Sequence, residues 1–124
     1  MTWRADVPLV SVVLPTFERP AYLRQALESA LGQTYGNLEI LAGDNGRADE
    51  SARVAYSFGD CRIHYQRHPT NLGLAGNALT LFRQAKGDHV AVLHDDDFWR
   101  KDLLEKLVPP LARHADAAIA FADF

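Results

Sequence analysis

The chain has a single cysteine, Cys61, so it can close no intrachain disulfide and build no cysteine metal cluster. A reducing compartment is the simplest fit, and Cys61 is expected to be a buried structural thiol. Long apolar runs are missing too. Nothing approaches the roughly 18 residues of a membrane span. The start, Met1-Thr2-Trp3-Arg4-Ala5-Asp6, has no apolar segment after a basic end, so it does not read as a signal peptide. A cytoplasmic location is expected, with peripheral membrane association left open for a longer parent. Positive charge is not in excess either: the net charge of −3 gives no footprint for nucleic acid. Repeats, low-complexity stretches and interior linkers are absent as well.

What is present suits one globular domain with a real core. Hydrophobic residues make up 48% of the 124 residues and charged ones an ordinary 23%. Leu9–Leu14 is a β-rich apolar run ended by Pro15, and we read it as a central strand. Pro20 suits the first turn of a helix running from Ala21 to Gln33, where Leu23, Ala26, Leu27, Ala30 and Leu31 recur at helical spacing. Leu38–Ala42 is a second strand, and Gly43-Asp44-Asn45-Gly46 is a turn by composition. A weak helix over Asp49–Phe58 and a more peripheral strand over Arg62–Gln66 follow. Leu74, Ala75, Ala78, Leu79, Phe82 and Ala85 mark another helix, closed by Gly87. Val90–Leu93 is a strand buried on both faces. Leu103, Leu104, Leu107 and Val108 form a helical stripe that Pro109-Pro110 should break or restart, and Ala117–Phe121 has the composition of a last strand.

Strands alternating with helices predict an α/β fold with a mainly parallel sheet. In such sheets ligands sit at the carboxyl ends of the strands, near the switch point of strand order. Three polar clusters fall at strand ends here: Thr16–Arg19, Gly43–Gly46 and His94–Asp97. In a parallel sheet all three emerge on the same edge.

The last cluster is the most pointed. Val90–Leu93 runs into three consecutive carboxylates, Asp95, Asp96 and Asp97, which repel one another. Two interpretations stay open at this level: a solvated acidic turn capping the next helix, or a site for a hard divalent cation with oxygen ligands. His94 is expected to serve its acidic neighbours rather than a metal, because magnesium and manganese prefer oxygen donors. Asp44 reads as turn chemistry or as an acceptor for a ligand N–H. The Asn71–Asn77 segment could bring a ligand to a helix N-terminus, but it is neither a dinucleotide fingerprint nor a P-loop. A receiver domain or an Asp-x-Asp phosphatase would carry its carboxylates after the first strand, where this chain has Pro15-Thr16-Phe17-Glu18.

Taken together, five segments resemble the N-terminal half of family 2 glycosyltransferases. They are Val10–Phe17, Ser29-Ala30-Leu31-Gly32-Gln33-Thr34-Tyr35, Glu39–Asn45, Asn71–Asn77 and Leu93–Trp99. The resemblance implies a GT-A fold, a three-layer α/β/α arrangement with a Rossmann-like nucleotide-binding half. It covers one incomplete domain over residues 1–124, with its core in 8–124. It implies transfer of a sugar, with inversion, from a nucleotide donor (UDP-, GDP- or dTDP-sugar) to a saccharide, lipid or protein acceptor, with Mg²⁺ or Mn²⁺ as cofactor.

Carried over residue by residue, it puts Pro15, Thr16, Phe17 and Glu18 around the nucleoside, with Phe17 able to stack on the base. Asp44 would accept a hydrogen bond from the base, and Asn71, Asn77 and Asp95 would also contact the nucleotide or donor sugar. Asp96 and Asp97 would hold the metal. There are departures: Glu18 stands in place of a common Asn, Gly43 replaces the first of an Asp-Asp pair, and His94 stands where an Asp is common. The basic residue often found in the Asn71–Asn77 loop is missing. The catalytic base is expected beyond Phe124, with Asp123 too close to the terminus to serve. The exposed sheet edge of a half-domain invites self-association. A non-catalytic nucleotide-sugar binding module, or a bare interaction domain, are the alternatives.

Overall fold

The computed structural model describes residues 7–122. Asp123 therefore lies outside the described residues. Four strands and four helices alternate: β1 (Val10–Thr16), α1 (Pro20–Leu31), β2 (Leu38–Asp44), α2 (Glu50–Ser57), β3 (Ile63–Arg67), α3 (Gly73–Gln84), β4 (His89–Val92) and α4 (Leu103–Arg113). The strands form one sheet in the order β3-β2-β1-β4, and every pairing is parallel. The chain steps outward from β1 to β2 and β3, then returns to place β4 on the other side of β1. The switch point of strand order is thus between β1 and β4.

Every residue of β1 and β2 is buried, which is why both read as continuous apolar runs without alternation. Their side chains nonetheless divide between two faces. Val10, Val12, Leu14 and Ile40 pack with Leu23, Ala26, Leu27 and Ala30 of α1, Val54 and Ala55 of α2, and Leu104 and Val108 of α4. Val13 and Leu41 point the other way, against Leu81 of α3. This is the expected three-layer α/β/α sandwich, with a thicker core on the α1 side. β4 is not buried on both faces as its apolar run suggests: it is an edge strand paired only to β1, and on one face Val90 and Val92 are 40% and 44% exposed.

The structure differs from the sequence pattern in several places. β1 does not stop before Pro15 but runs through it to Thr16, pairing Pro15 with Gly43. Backbone groups alternate sides along a strand. The Val13 carbonyl accepts from Leu93 on the β4 side, and the Thr16 carbonyl accepts from Asn45 on the β2 side. Pro15 thus presents its missing N–H toward β4, whose pairing ends at Val92, and no ladder bond is lost. β2 likewise extends through Gly43 and Asp44, so the turn begins at Asn45.

α4 continues through Pro109 and Pro110 to Arg113. The prolines fix a helical φ and free the carbonyls of Glu105 and Lys106, both exposed residues where water can take the place of the lost donors. Residues 117–121 form no strand among the described elements, and Ile119 and Phe121 are 79% and 82% exposed. The segment pairs with none of the four strands, so its composition is not realised as a ladder. Cys61, expected to be buried, is exposed in the turn after α2.

The Gln33-Thr34-Tyr35 segment has a clear structural duty. Buried Gln33 donates to the carbonyls of Ser29 (3.1 Å) and Arg100 (2.7 Å) and accepts from Leu104 N–H (3.1 Å). Thr34 donates its hydroxyl proton to Glu105 (2.7 Å) and its N–H to the Lys101 carbonyl (2.8 Å). Tyr35 donates its hydroxyl proton to the Pro8 carbonyl. The end of α1 is thereby clamped to the start of α4 and to the entrance of β1.

Candidate functional site

A cavity of about 380 Å³ opens at the carboxyl ends of β1 and β4, at the switch point. Pro15, Thr16, Phe17 and Arg19 form one wall and His94, Asp95 and Asp96 another. Asn45, Asn71, Gly73, Leu74 and Asn77 close the third side. Its size falls within the range of small-molecule sites.

Asp95 is the pivot. Its carboxylate is buried at the turn after β4, where Asp97 N–H closes onto the His94 carbonyl (3.0 Å). Asp95 Oδ2 accepts from the Thr16 hydroxyl at 2.9 Å and from Phe17 N–H at 3.4 Å. The two strand ends are thus joined through one carboxylate oxygen. Arg19 Nη1 lies 3.6 Å from Asp95 Oδ1 and 3.4 Å from Asp96 Oδ2. It stands at the N-terminus of α1, just before Pro20. Glu18, which precedes it, has φ of 52°, the one positive value at a non-glycine among the described residues. That left-handed residue turns the chain sharply at the end of β1, at a conformational cost of about 1–2 kcal/mol.

On the third side Asn45 is the organiser. Its amide donates to the Gly73 carbonyl (3.0 Å) and accepts from Leu72 N–H (3.0 Å). The loop that leads into α3 is so held against the end of β2. Arg47 adds bonds to the carbonyls of His68 (2.7 Å) and Pro69 (3.2 Å). Beneath, His68 Nε2 lies 2.8 Å from Asn77 Oδ1, and Asn77 donates to the Gly43 carbonyl at 2.9 Å. Because the Asn77 oxygen must accept, His68 Nε2 carries the proton. This buried pair fills the space beside Gly43: a Cβ there would fall onto Asn77 Oδ1 and lie 3.0 Å from His68 Nε2 and Leu81 Cδ2. The glycine that departs from a common aspartate is explained by its neighbours.

The predicted residues separate into two groups. Pro15, Thr16, Phe17, Asn71, Asn77, Asp95 and Asp96 all line the one cavity. Glu18, Asp44 and Asp97 do not. Glu18 and Asp97 are exposed beside it. Asp44 is buried behind the wall, accepting from Gly46 N–H (2.7 Å) through Oδ1 and from the Tyr65 hydroxyl through Oδ2. Burial, and then the bond to Asp44, push the Tyr65 hydroxyl up to about 12. Farther out, the Arg67 guanidinium holds the Asp49 carboxyl below its ordinary value. Arg19 and Asn45 line the cavity without having been assigned a role from sequence. The signal for Arg19 was its place between the first strand and Pro20, which aims it back over the strand ends.

Comparison with known proteins bears on this arrangement. The family model described as glycosyl transferase family 2 matches residues 11–124. An uncharacterized glycosyltransferase of Haemophilus influenzae is 34% identical over 103 residues, which is 82% of this chain and 41% of that protein. Chondroitin synthase of Escherichia coli is 32% identical over 106 residues, 80% of this chain and 15% of that one. The chain thus spans well under half the length of these relatives. Among solved structures, the mannosyltransferase of Pyrobaculum calidifontis, in complex with GDP-Man and Mn²⁺, superposes with a TM-score of 0.70 at 25% identity. The match takes in 78% of this chain and 30% of that one. S. aureus TarS 1–349, in complex with UDP-GlcNAc, has a TM-score of 0.79 over 85% of this chain and 31% of its own, and at 21% identity shares the fold.

Proposed function

Because the chain belongs to glycosyl transferase family 2, we propose that its cavity binds the nucleoside diphosphate of a nucleotide-sugar donor, as the donor half of an inverting, metal-dependent glycosyltransferase. The three-layer parallel sheet is the GT-A arrangement of its structural neighbours. The observation that carries the proposal is the Thr16–Asp95–Arg19–Asp96 constellation, set in a crevice at the switch point of the sheet.

In this proposal half-exposed Phe17 offers its ring to the base, and Asn71 and Asn77 frame the nucleoside. Asp44 contributes from behind the wall by fixing Gly46 and hence the end of β2. Arg19 is the guanidinium in reach of the phosphates and takes the place of the basic residue missing from the Asn71–Asn77 loop. A UDP-, GDP- or dTDP-sugar would fit this frame.

Asp95 and Asp96 suit a divalent cation. Mg²⁺ or Mn²⁺ in a phosphate site is held by one or two carboxylates, with phosphate oxygens and water completing the shell. Among the described residues no three His, Cys, Asp or Glu side chains converge, so such a shell would need the donor's own oxygens. Asp95 and Asp96 both line the cavity and both lie near Arg19, whereas Asp97 is not among the lining residues. When bound, the cation supplies Lewis-acid stabilisation of the charge growing on the leaving diphosphate.

The reaction forms a bond from an acceptor hydroxyl oxygen to the anomeric carbon while the bond to phosphate breaks. The acceptor's proton passes to a base other than Asp95 and Asp96, since both are committed to the donor side. Calorimetric titration with UDP, GDP, dTDP and CMP, with and without Mn²⁺, tests the proposal. Binding of one of them that Asp96→Ala weakens at least tenfold is the expected result. No binding in either condition would sink it.

A further inference from the structure

Arg19 sits on the same carboxylate oxygens that a cation would use. Asp95 has one oxygen, Oδ2, already engaged by Thr16 and Phe17. Its other oxygen, Oδ1, is what it can offer to a cation, and Arg19 Nη1 lies 3.6 Å from it. The same Nη1 is 3.4 Å from Asp96 Oδ2. A divalent ion bound by these oxygens would sit about 2.0–2.6 Å from each, in the space the guanidinium fills. The two positive groups cannot share that face.

We infer that Arg19 is an internal counter-ion that competes with the divalent cation for Asp95 and Asp96, and that the donor's phosphates draw it away. The inference rests on the donor site proposed above for its second half only. Arg19 has the freedom to exchange partners, since its side chain is half exposed while that of Asp95 is held. A guanidinium matches phosphate oxygens as well as carboxylate oxygens, in paired hydrogen bonds. No other arginine or lysine lines the cavity among the described residues. The consequence is linkage: nucleotide removes the competitor and strengthens metal binding, and metal strengthens nucleotide binding by the same factor.

Two titrations separate the parts. Free Mn²⁺ is followed by electron paramagnetic resonance with no nucleotide present, in the unsubstituted chain, Arg19→Gln and Arg24→Gln. Arg24 lies in the helix that Arg19 precedes but stacks over Phe58, 5.7 Å from its ring centre, and controls for net charge. Arg19→Gln should bind Mn²⁺ roughly three- to tenfold more tightly, as expected for release from the ion pairs of a half-exposed guanidinium, with Arg24→Gln unchanged. No gain in Arg19→Gln, or an equal gain in Arg24→Gln, would overturn the competition. At saturating Mn²⁺, Arg19→Gln should then bind UDP or GDP about tenfold more weakly; equal binding would remove the phosphate role. If the unsubstituted chain binds no nucleotide at all, the donor-site proposal fails, while the Mn²⁺ titration still decides the competition.

Discussion

Thr16 and Asp95 join strand ends that lie 79 residues apart in the chain, the hydroxyl donating to Oδ2 across 2.9 Å. Both side chains are buried. The bond fixes the width of the crevice between β1 and the turn after β4, and it chooses which Asp95 oxygen remains for other partners.

Thr16→Val keeps the shape and removes that donor. A buried carboxylate oxygen is then left with Phe17 N–H at 3.4 Å. We expect a loss of about 1–3 kcal/mol, read as a lower urea midpoint at unchanged slope. Thr16→Ser should recover most of it. A Val variant as stable as the original would mean that Asp95 is held by other groups.

Gly43→Ala should destabilise by about 1–3 kcal/mol through overpacking, because its methyl meets the buried Asn77–His68 pair and Leu81. Gly59→Ala is the contrast. It has φ of 57° but no atom within 4 Å of the new methyl, so only the left-handed backbone is penalised, by about 1 kcal/mol. Thermal melts of the two variants should rank accordingly.

Gln33→Ala should cost about 1–3 kcal/mol by leaving three backbone partners unmatched. Its particular signature is faster hydrogen exchange at the Leu104 amide, which Gln33 caps at the start of α4. Unchanged exchange there would show that α4 begins without this clamp.

Tyr65 gives a pH dependence whose sign follows from its surroundings. Its hydroxyl is raised to about 12 from an ordinary 10 by burial and by Asp44. The folded chain therefore keeps this proton when the unfolded chain has lost it. The contribution is complete below pH 10 and disappears as pH climbs through 12. Urea midpoints measured from pH 9 to 12 should fall less steeply in Tyr65→Phe than in the unsubstituted chain. Tyr35 is raised as well, by burial and then by Asp88, so the difference between the two proteins is the quantity to follow.

These residues also mark what the sequence could and could not disclose. Alternating strands and helices, and three polar clusters meeting on one sheet edge, were legible because apolar spacing is local and parallel strands share a direction. Pro15 reads as a stop and the Pro109-Pro110 pair as a break or restart, because a proline's meaning depends on what stands opposite its missing N–H. For Pro15 that is a strand that has already ended; for α4 it is exposed carbonyls. The 117–121 segment has strand composition but no partner ladder among the described residues. Asp44 is visible as a polar residue at a strand end, yet the Tyr65 hydroxyl, 21 positions away, donates to one of its oxygens. Arg19 lay in plain view in the first cluster. Its ion pairs could not be seen, because they reach residues that only the sheet order brings near.

Pro15 has one more effect. A parallel sheet tends to grow by zipping any extended segment onto a free backbone edge. Above Val13, the β4-facing edge of β1 has no N–H to give at Pro15. Continuing β4 past Leu93 would therefore leave the Leu93 carbonyl without its ladder donor at Pro15. The ring thus weakens the zipper one step above Val13, at the seam whose width the Thr16–Asp95 bond sets.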